Sequence, residues 1–364
     1  MTEFKHLPGT PLYEEMRDRY LEILSPLFFP TNPFKHDIIR FFASLLRAVG
    51  IEDKGWDPFA ESRALLEDLN VLMQIDLPAA HFKDDLIVWR LGLLFYNHVL
   101  EMSAPYEVIA NLLRFKLEEG YSPNPFYKYM TKEQRKKFKK SGLYPKQKID
   151  IISELGDRAG VNIRSIFDEF IRFDLRNAIA HSDFIITDDE FHCRKGYGLE
   201  SFVIELKELD ELLTASKAFI SAFFVLDGEA RLMWGQQASR AVPYDPIYKG
   251  LMEILADGNG LLNGFKVHWP NGEESYYRRE LDKIDMVNCY LDLDRETIQL
   301  FVGLYASRRG KFSPLVEIDQ DPIYTPLDSS DIRPVWDQAA AVAPQRPLPE
   351  VVLRVRDDSV SYQI

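Results

Sequence analysis

The sequence predicts a mainly α fold, in which a small β hairpin interrupts a helical bundle and a smaller α+β domain follows. Up to about residue 226, apolar residues recur every three or four positions. Near residues 184–204 the period becomes strand-like, and after residue 227 turn residues flank short aromatic runs. We therefore divide the chain into an N-terminal helical region at 1–83, a helical domain at 84–226 and a C-terminal α+β domain at 227–364.

The first half of the chain contains a series of amphipathic segments. Apolar residues spaced three and four apart predict helices at 34–49, 58–75, 84–103 and 105–119. Asn32 and Pro33 give the first of these a capping start. A short helix at 145–155 then leads through Gly156 and Gly160 into a longer helix at 162–181.

This longer helix has two distinct sides. One side is apolar and predicts core packing, with Asp174 as its polar exception; its members are Ile163, Ile166, Phe167, Phe170, Ile171 and Ala178. At roughly 100° per residue, the nearly opposite side carries Arg172, Phe173, Arg176 and Ala180. A face that mixes Phe, Ala and Arg is a candidate for coverage by another chain.

The β elements are predicted from alternation and turn residues. Residues 184–187 and 190–194 flank the turn at Asp188 and Asp189, and a further strand is predicted at 202–204 before a helix at 208–225. In the C-terminal region a hairpin is predicted around Pro270-Asn271-Gly272. Further strands are expected at about 284–292, 297–305 and 350–356.

Charge is unevenly distributed along the chain. The 364 residues contain 44 Lys and Arg against 57 Asp and Glu, which gives a formal net charge of −13 and argues against a general polyanion binder. Residues 128–148, here called the basic segment, nevertheless carry nine basic residues and only one acid, Glu133. The protein is therefore acidic with one local cationic stretch.

The end of the helix at 162–181 carries the most informative motif. Arg176, Asn177 and His181 follow one another at the end of an amphipathic helix, directly before the predicted hairpin. Over roughly residues 84–226 this arrangement resembles the HEPN superfamily (higher eukaryotes and prokaryotes nucleotide-binding), whose members are helical and in many cases metal-independent ribonucleases. The resemblance implies that Arg176, Asn177 and His181 line an RNA-cleaving cleft between two copies of the domain.

The chemistry of RNA cleavage suits these residue types. The 2′-hydroxyl of RNA can attack the adjacent phosphorus itself, so cleavage needs a group that moves protons and a cation that meets the developing phosphoryl charge. A histidine side chain, with an unperturbed pKa of about 6.5, suits the first role, and a bidentate arginine suits the second. We therefore assign proton transfer to His181, phosphate binding to Arg176 and orientation to Asn177, and expect no cofactor and no metal.

Helix geometry constrains this site. Five residues turn through about 500°, which leaves Arg176 and His181 roughly 140° apart around an ideal helix. Either the helix loosens at Ala180 and His181, or two helices face each other and each supplies part of the site. The second alternative predicts a homodimer.

Other interpretations of the motif stay open. His181 could cap the helix C-terminus, where an imidazolium is attracted by the dipole, while Arg176 pairs with Asp183 or Glu169. The protein would then be an inactive HEPN-like scaffold that dimerises and binds RNA or a protein. Metal-dependent hydrolysis is a third hypothesis.

In HEPN toxins that are silenced by nucleotidylation, a Tyr lies two residues after the His. Here Asp183 occupies that position, which argues against regulation by nucleotidylation.

The basic segment is a candidate track for single-stranded RNA. Its cations would neutralise phosphates while interleaved aromatic residues stack on unpaired bases, although a solvated lysine-rich helix is an equal alternative. The candidate RNA-binding residues are Lys132, Arg135, Lys136, Lys137, Lys139, Lys140, Lys146 and Lys148.

The other histidines, cysteines and aromatic residues are weaker candidates for a functional site. The adjacent His192 and Cys193 point to opposite faces of a strand and cannot form a catalytic dyad, and His98 is interpreted as a core histidine. Trp269, Tyr276 and Tyr277 could line a pocket or simply lie on the surface, and the C-terminal domain is a candidate for binding a regulatory protein or ligand.

The sequence also predicts a cytoplasmic protein without membrane association, because it has two distant cysteines, no signal-peptide pattern and no long apolar run. Family members often serve in toxin–antitoxin or antiviral defence systems, so the resemblance implies such a role.

Overall fold

The structure is a computed structural model, and most of the residues it describes are helical. It describes residues 10–31, 38–48, 58–75, 84–141, 143–187, 190–194, 201–236, 238, 241–245, 250–268, 274–279, 284–292, 297–300, 316–317 and 352–353. The chain forms two compact units. The first comprises residues 1–27, 58–113 and 129–226, and the second comprises residues 28–57, 114–128 and 227–364. Parts of residues 1–83 thus belong to both units, and the three-domain division stays a prediction.

Ten helices lie within the described residues. They are α1 (Pro11–Phe28), α2 (Ile38–Leu46), α3 (Pro58–Leu72), α4 (Asp84–Glu101), α5 (Ala104–Lys116), α6 (Lys132–Ser141), α7 (Pro145–Ala159), α8 (Ile163–Phe170), α9 (Phe173–Ala180) and α10 (Leu206–Gly235). Helix α10 is longer at both ends than the predicted 208–225 and continues through the predicted boundary near residue 227. The capping pair Asn32 and Pro33 lies outside the described residues.

Aromatic side chains build the core of the first unit. Phe219 of α10 stacks on Phe170 of α8 with ring centroids 5.2 Å apart, and Tyr106 of α5 stacks on Phe219 at 6.0 Å. Helix α7 does not end at Leu155 as predicted but continues through Gly156 to Ala159, and Gly160 terminates it with a left-handed φ of 68°. Gly156 allows α7 and α8 to approach closely, because a Cβ there would lie 2.5 Å from Ile163 Cγ2.

The predicted single helix at 162–181 is wrong in one respect, because the structure divides it into α8 and α9. The backbone is extended at Ile171, with φ −83° and ψ 109°, and at Arg172, with φ −123° and ψ 99°. The Tyr96 hydroxyl of α4 donates to the Phe170 carbonyl at 2.8 Å and accepts the Arg172 N–H at 3.0 Å. The break is therefore stabilised by a tertiary contact, and no Gly or Pro marks it in the sequence.

We expect Tyr96→Phe to lower the free energy of unfolding by about 1–3 kcal/mol, because it leaves two buried backbone groups at the break without their shared partner. Tyr96 is fully buried, so water does not replace the lost hydroxyl. Urea unfolding measures the change. Tyr144→Phe is the control, since Tyr144 is 64% exposed, and it should stay within about 0.5 kcal/mol of the wild type. Equal stability of the two variants would contradict this account of the break.

A three-stranded antiparallel sheet follows α9, as the sequence predicts. It consists of β1 (Phe184–Ile186), β2 (Glu190–Arg194) and β3 (Ser201–Glu205), in the order β1-β2-β3. Phe191, Cys193 and Ile204 are buried on its inner face. The turn residues Asp188 and Asp189 lie outside the described residues.

The second unit contains a five-stranded antiparallel sheet with the order β4-β5-β6-β7-β8. Strand β9 pairs with β10 and β11 with β12, each pair forming a two-stranded sheet. The predicted strand 284–292 is divided at Asn288, which has a φ of 47°. The strands are β4 (Ala241–Asp245), β5 (Gly250–Ala256), β6 (Leu262–His268), β7 (Glu274–Arg279), β8 (Ile284–Val287), β9 (Cys289–Asp292), β10 (Thr297–Leu300), β11 (Val316–Glu317) and β12 (Val352–Leu353).

Helix α2 belongs to the core of this second unit, although it lies far from the strands in sequence. Its Phe42 meets Trp234 edge-on at 5.3 Å between ring centroids. The Arg279 guanidinium of β7 donates to the carbonyl oxygens of Leu46 and Arg47 just after α2 ends. None of the described helices is long and apolar enough to cross a membrane.

Candidate functional site

Helix α9 positions the predicted catalytic residues at the surface of the first unit. Leu175, Ala178 and Ile179 are buried and hold the helix in place. Asn177, Ala180 and His181 are exposed, and Arg176 is partly exposed. The motif residues therefore lie on the outward side of a helix that its apolar residues anchor.

Arg176 forms an ion pair with Glu101, at the end of α4. Its Nε and Nη2 both contact Glu101 Oε1, and its Nη1 donates to Asn177 Oδ1 at 2.9 Å. The Arg176 side chain keeps 21% of its surface exposed. The guanidinium is thus held in one orientation by two neighbours, and a phosphate would have to share or displace the Glu101 carboxylate. Glu169, an alternative partner considered above, instead accepts from Arg19 and Tyr20.

His181 occupies the C-cap position of α9. The backbone N–H of His181 donates to the Asn177 carbonyl at 3.0 Å, and Ser182 adopts a left-handed φ of 58°. The Ser182 and Asp183 N–H groups return to the carbonyls of Ile179 and Ala178, as in a Schellman cap. The helix thus terminates through its backbone, and the imidazole of His181 has no hydrogen-bond or ion-pair partner among the described residues.

One chain does not bring the three motif residues into one cluster. Within the described part of the chain, no hydrogen bond joins the His181 imidazole to the side chain of Arg176 or of Asn177. The Asn177 carboxamide contacts the guanidinium of Arg176 rather than the imidazole. The predicted orienting role of Asn177 toward the histidine has no support in these contacts.

The basic segment includes all of α6 and the first turn of α7. Lys132 and Lys136 are exposed and lie one turn apart on α6, and Lys146 is exposed in the first turn of α7. Lys148 donates to Ser103 Oγ at 2.8 Å, and Arg135 is partly buried. The side chains of Lys137, Lys139 and Lys140 lie outside what the structure describes.

The aromatic residues of the basic segment differ in exposure. Tyr144 is open to solvent, whereas Phe126, just before the segment, is buried and cannot stack on a base. The described surface of the segment thus offers four exposed lysines, of which Lys128 lies 3.4 Å from Glu119, and one exposed tyrosine.

The other candidates have structural roles. His192 is partly exposed and pairs with Glu190 at 3.0 Å, while Cys193 lies on the buried face of β2. Burial, with a smaller contribution from Asp174, raises the pKa of the Cys193 thiol to about 12. The imidazole of His98 contacts the Ser62 carbonyl at 3.2 Å. Within the described residues, no three His, Cys, Asp or Glu side chains lie together as metal ligands.

Sequence reasoning missed Glu101, the residue that holds Arg176. The two residues are 75 positions apart, and a Glu at the end of an apolar helix carries no distinctive signal. Comparisons with known proteins add no candidate, because no family model, no curated protein and no solved structure matches this chain.

Proposed function

We propose that this protein is a metal-independent endoribonuclease that cleaves single-stranded RNA through a HEPN-type site on α9. The observation that carries the proposal is the side-chain arrangement of this helix. It presents an imidazole with no partner among the described residues and, five residues earlier, a partly exposed guanidinium that Glu101 orients. A proton-transfer group and an anion-binding group are what 2′-hydroxyl attack on phosphorus requires.

The proposed reaction needs no external nucleophile. The imidazole of His181 takes the proton of the 2′-hydroxyl as this oxygen bonds to phosphorus. The bond from phosphorus to the 5′-oxygen breaks, and this oxygen leaves with a proton supplied by a second acid. The products are a 2′,3′-cyclic phosphate and a 5′-hydroxyl, and Arg176 neutralises the charge on the non-bridging oxygens.

A homodimer would complete this site. A second copy of α9 facing the first would supply a second His181 as the acid and place each imidazole opposite the Arg176 of its partner. The outward side of α9 suits such packing, because it combines the small Ala180 with the partly exposed Phe173. Retained cleavage in a sample that is monomeric by sedimentation at micromolar concentration would contradict the composite site.

The defining experiment is cleavage of end-labelled single-stranded RNA by the purified protein in excess EDTA. We expect cleavage that EDTA does not inhibit, with cyclic phosphate ends on the 5′ products. Loss of all activity in EDTA would indicate metal-dependent hydrolysis instead. No cleavage in either condition would favour the scaffold described next.

A second candidate function is an inactive dimeric scaffold that binds RNA or a protein. The contact that favours it is the ion pair between Arg176 and Glu101, which already neutralises the guanidinium within one chain. In this case His181 acts only at the helix end, where a cation and the helix dipole attract each other.

The exposed lysines of α6 are proposed to bind the RNA backbone. We expect the double variant Lys132→Gln, Lys136→Gln to bind single-stranded RNA more weakly, because two RNA phosphates lose the lysine side chains that neutralise them. The slope of log affinity against log salt concentration should become shallower by about 1.4, which is about 0.7 for each lysine–phosphate contact that is lost. Fluorescence anisotropy across a salt series measures it.

The matched control replaces two exposed lysines outside the basic segment, Lys116→Gln and Lys207→Gln. It makes the same change in net charge, so it separates a local contact from a general field effect. If both double variants lowered the slope equally, the lysines of α6 would have no specific role.

A further inference from the structure

An apolar surface on α3 and α4, here called the α3–α4 patch, lies beside the residues of the proposed ribonuclease site. Of the twelve large apolar side chains that are exposed among the described residues, six lie on these two helices or on the turn after α3. Clustered apolar side chains at a protein surface commonly mark an interaction site. The six are Leu65, Val71, Leu72, Ile75, Val88 and Leu94.

The two helices lie side by side in the first unit. The His98 imidazole, near the end of α4, contacts the Ser62 carbonyl, near the start of α3, at 3.2 Å. The two helices therefore run antiparallel. Leu65 follows Ser62 by three residues and Leu94 precedes His98 by four, so Leu65 lies next to the part of α4 that carries Leu94. The two side chains are 44% and 55% exposed.

The exposed side of α4 carries opposite charges before and after Leu94. Arg90 precedes Leu94 by four residues and Glu101 follows it by seven, so at 100° per residue the three side chains fall within about 40° of one another around the helix. Arg90 is exposed and has no ion-pair or hydrogen-bond partner among the described residues. Glu101 binds Arg176 through Oε1, and within the described contacts its Oε2 atom has no partner.

This order of charges makes α4 complementary to a second copy of itself. When two copies pack antiparallel about a two-fold axis, a register that sets Arg90 against the partner's Glu101 also sets Glu101 against the partner's Arg90. In this register the two Leu94 side chains lie about 5 Å apart along the helices and pack against each other at the axis. The axis also keeps both copies of α9 on one side of the α4 pair, as the composite site requires.

We infer that a second copy of this chain docks on the α3–α4 patch, with its α4 antiparallel to the first and the partner's Arg90 paired with Glu101 Oε2. Glu101 then shares one negative charge between two guanidinium groups. In one chain Arg176 and Glu101 are neutral together, whereas the partner's Arg90 adds one positive charge to this pair. Dimerisation thereby makes Arg176 available to a phosphate. This last step rests on the proposed function, and the docking does not.

The first test is analytical ultracentrifugation of the full chain over a concentration series. We expect a monomer–dimer equilibrium, and Leu94→Gln should raise the dimer dissociation constant at least tenfold because it removes the apolar contact at the axis from both copies. The matched control is Leu232→Gln, since Leu232 is also an exposed helical leucine, on α10 in the second unit. It should change the constant by less than twofold. A wild-type chain that stays monomeric, or equal effects of the two substitutions, would overturn the inference.

A charge exchange keeps the inference testable if Leu94→Gln does not fold. Arg90→Glu and Glu101→Arg should each raise the dissociation constant at least tenfold, because like charges then face each other across the axis. The double variant should dimerise at least fivefold more tightly than either single variant. Thermal melting of each variant verifies its fold. Single variants that dimerise like the wild type, or a double variant no tighter than the single ones, would exclude the pair of Arg90 and Glu101.

The availability of Arg176 is tested by fluorescence anisotropy with a short single-stranded RNA. Leu94→Gln should bind this RNA at least threefold more weakly than the wild-type dimer, and adding Glu101→Gln should restore the affinity because Arg176 loses its carboxylate partner. Adding Glu15→Gln instead changes an exposed glutamate of α1, makes the same change in net charge and should restore nothing. Equal affinities of the two double variants would overturn this step. A dimer that responds to the charge exchange but cleaves no RNA would contradict the proposed function alone.

Discussion

His181→Ala is expected to lower the rate of EDTA-resistant RNA cleavage by about 10²–10⁴-fold, because it removes the group that accepts the 2′-hydroxyl proton. The side chain has no partner among the described residues, so the variant should fold with a stability within about 0.5 kcal/mol of the wild type. Single-turnover cleavage of end-labelled RNA measures the rate, and urea unfolding measures the stability.

His192→Ala is the matched control for this variant. His192 is a partly exposed histidine of the first unit, on β2 rather than at the end of α9, and its partner is Glu190. Its removal should leave cleavage within twofold of the wild type. Equal losses in the two variants, or full activity in His181→Ala, would exclude His181 as the proton-transfer group.

Arg176→Ala is expected to lower the cleavage rate by about 10²–10³-fold, comparable with the loss of one oxyanion-stabilising donor. Arg176→Lys should recover part of the rate, since lysine keeps the positive charge but cannot form a bidentate hydrogen bond with the phosphate. Removing Arg176 leaves Glu101 as an unpaired carboxylate, but this carboxylate is partly exposed and water can solvate it. Single-turnover kinetics at saturating RNA separate this loss from weaker binding.

The control for Arg176 is Arg164→Ala. Arg164 on α8 also donates to a carboxylate, Asp157, at 2.8 Å, and is half exposed. Its loss removes the same charge and the same type of ion pair, so cleavage should stay near the wild-type rate. If Arg176→Ala retained at least a third of the wild-type rate, the scaffold would become the better interpretation.

The pairing of Arg176 with Glu101 bears on how RNA could enter the site. In the single chain the Glu101 carboxylate holds the Arg176 guanidinium at the end of α4, and RNA has to compete with this carboxylate. A cation whose charge is already neutralised attracts phosphate weakly from a distance, so the exposed lysines of α6 would supply most of the long-range attraction. An acidic protein can in this way select RNA through one cationic path.

Much of the helical architecture follows from local sequence patterns. The periodic apolar residues of α4 and α8 could be recognised because each of these two helices buries one side. The hairpin β1 and β2 follows from alternation around a turn. Arg176, Asn177 and His181 were recognised for a similar reason, since their spacing on one helix is a local property.

The contacts that define the candidate site on α9 could not be predicted, because each joins residues that are distant in sequence. The break between α8 and α9 depends on the Tyr96 hydroxyl, and the orientation of Arg176 depends on Glu101. The sequence by itself determined a mainly helical chain with an arginine and a histidine at the end of one amphipathic helix. Only the tertiary structure decided which groups face them, since hydrogen bonds between elements depend on packing and leave no periodic signal in the chain.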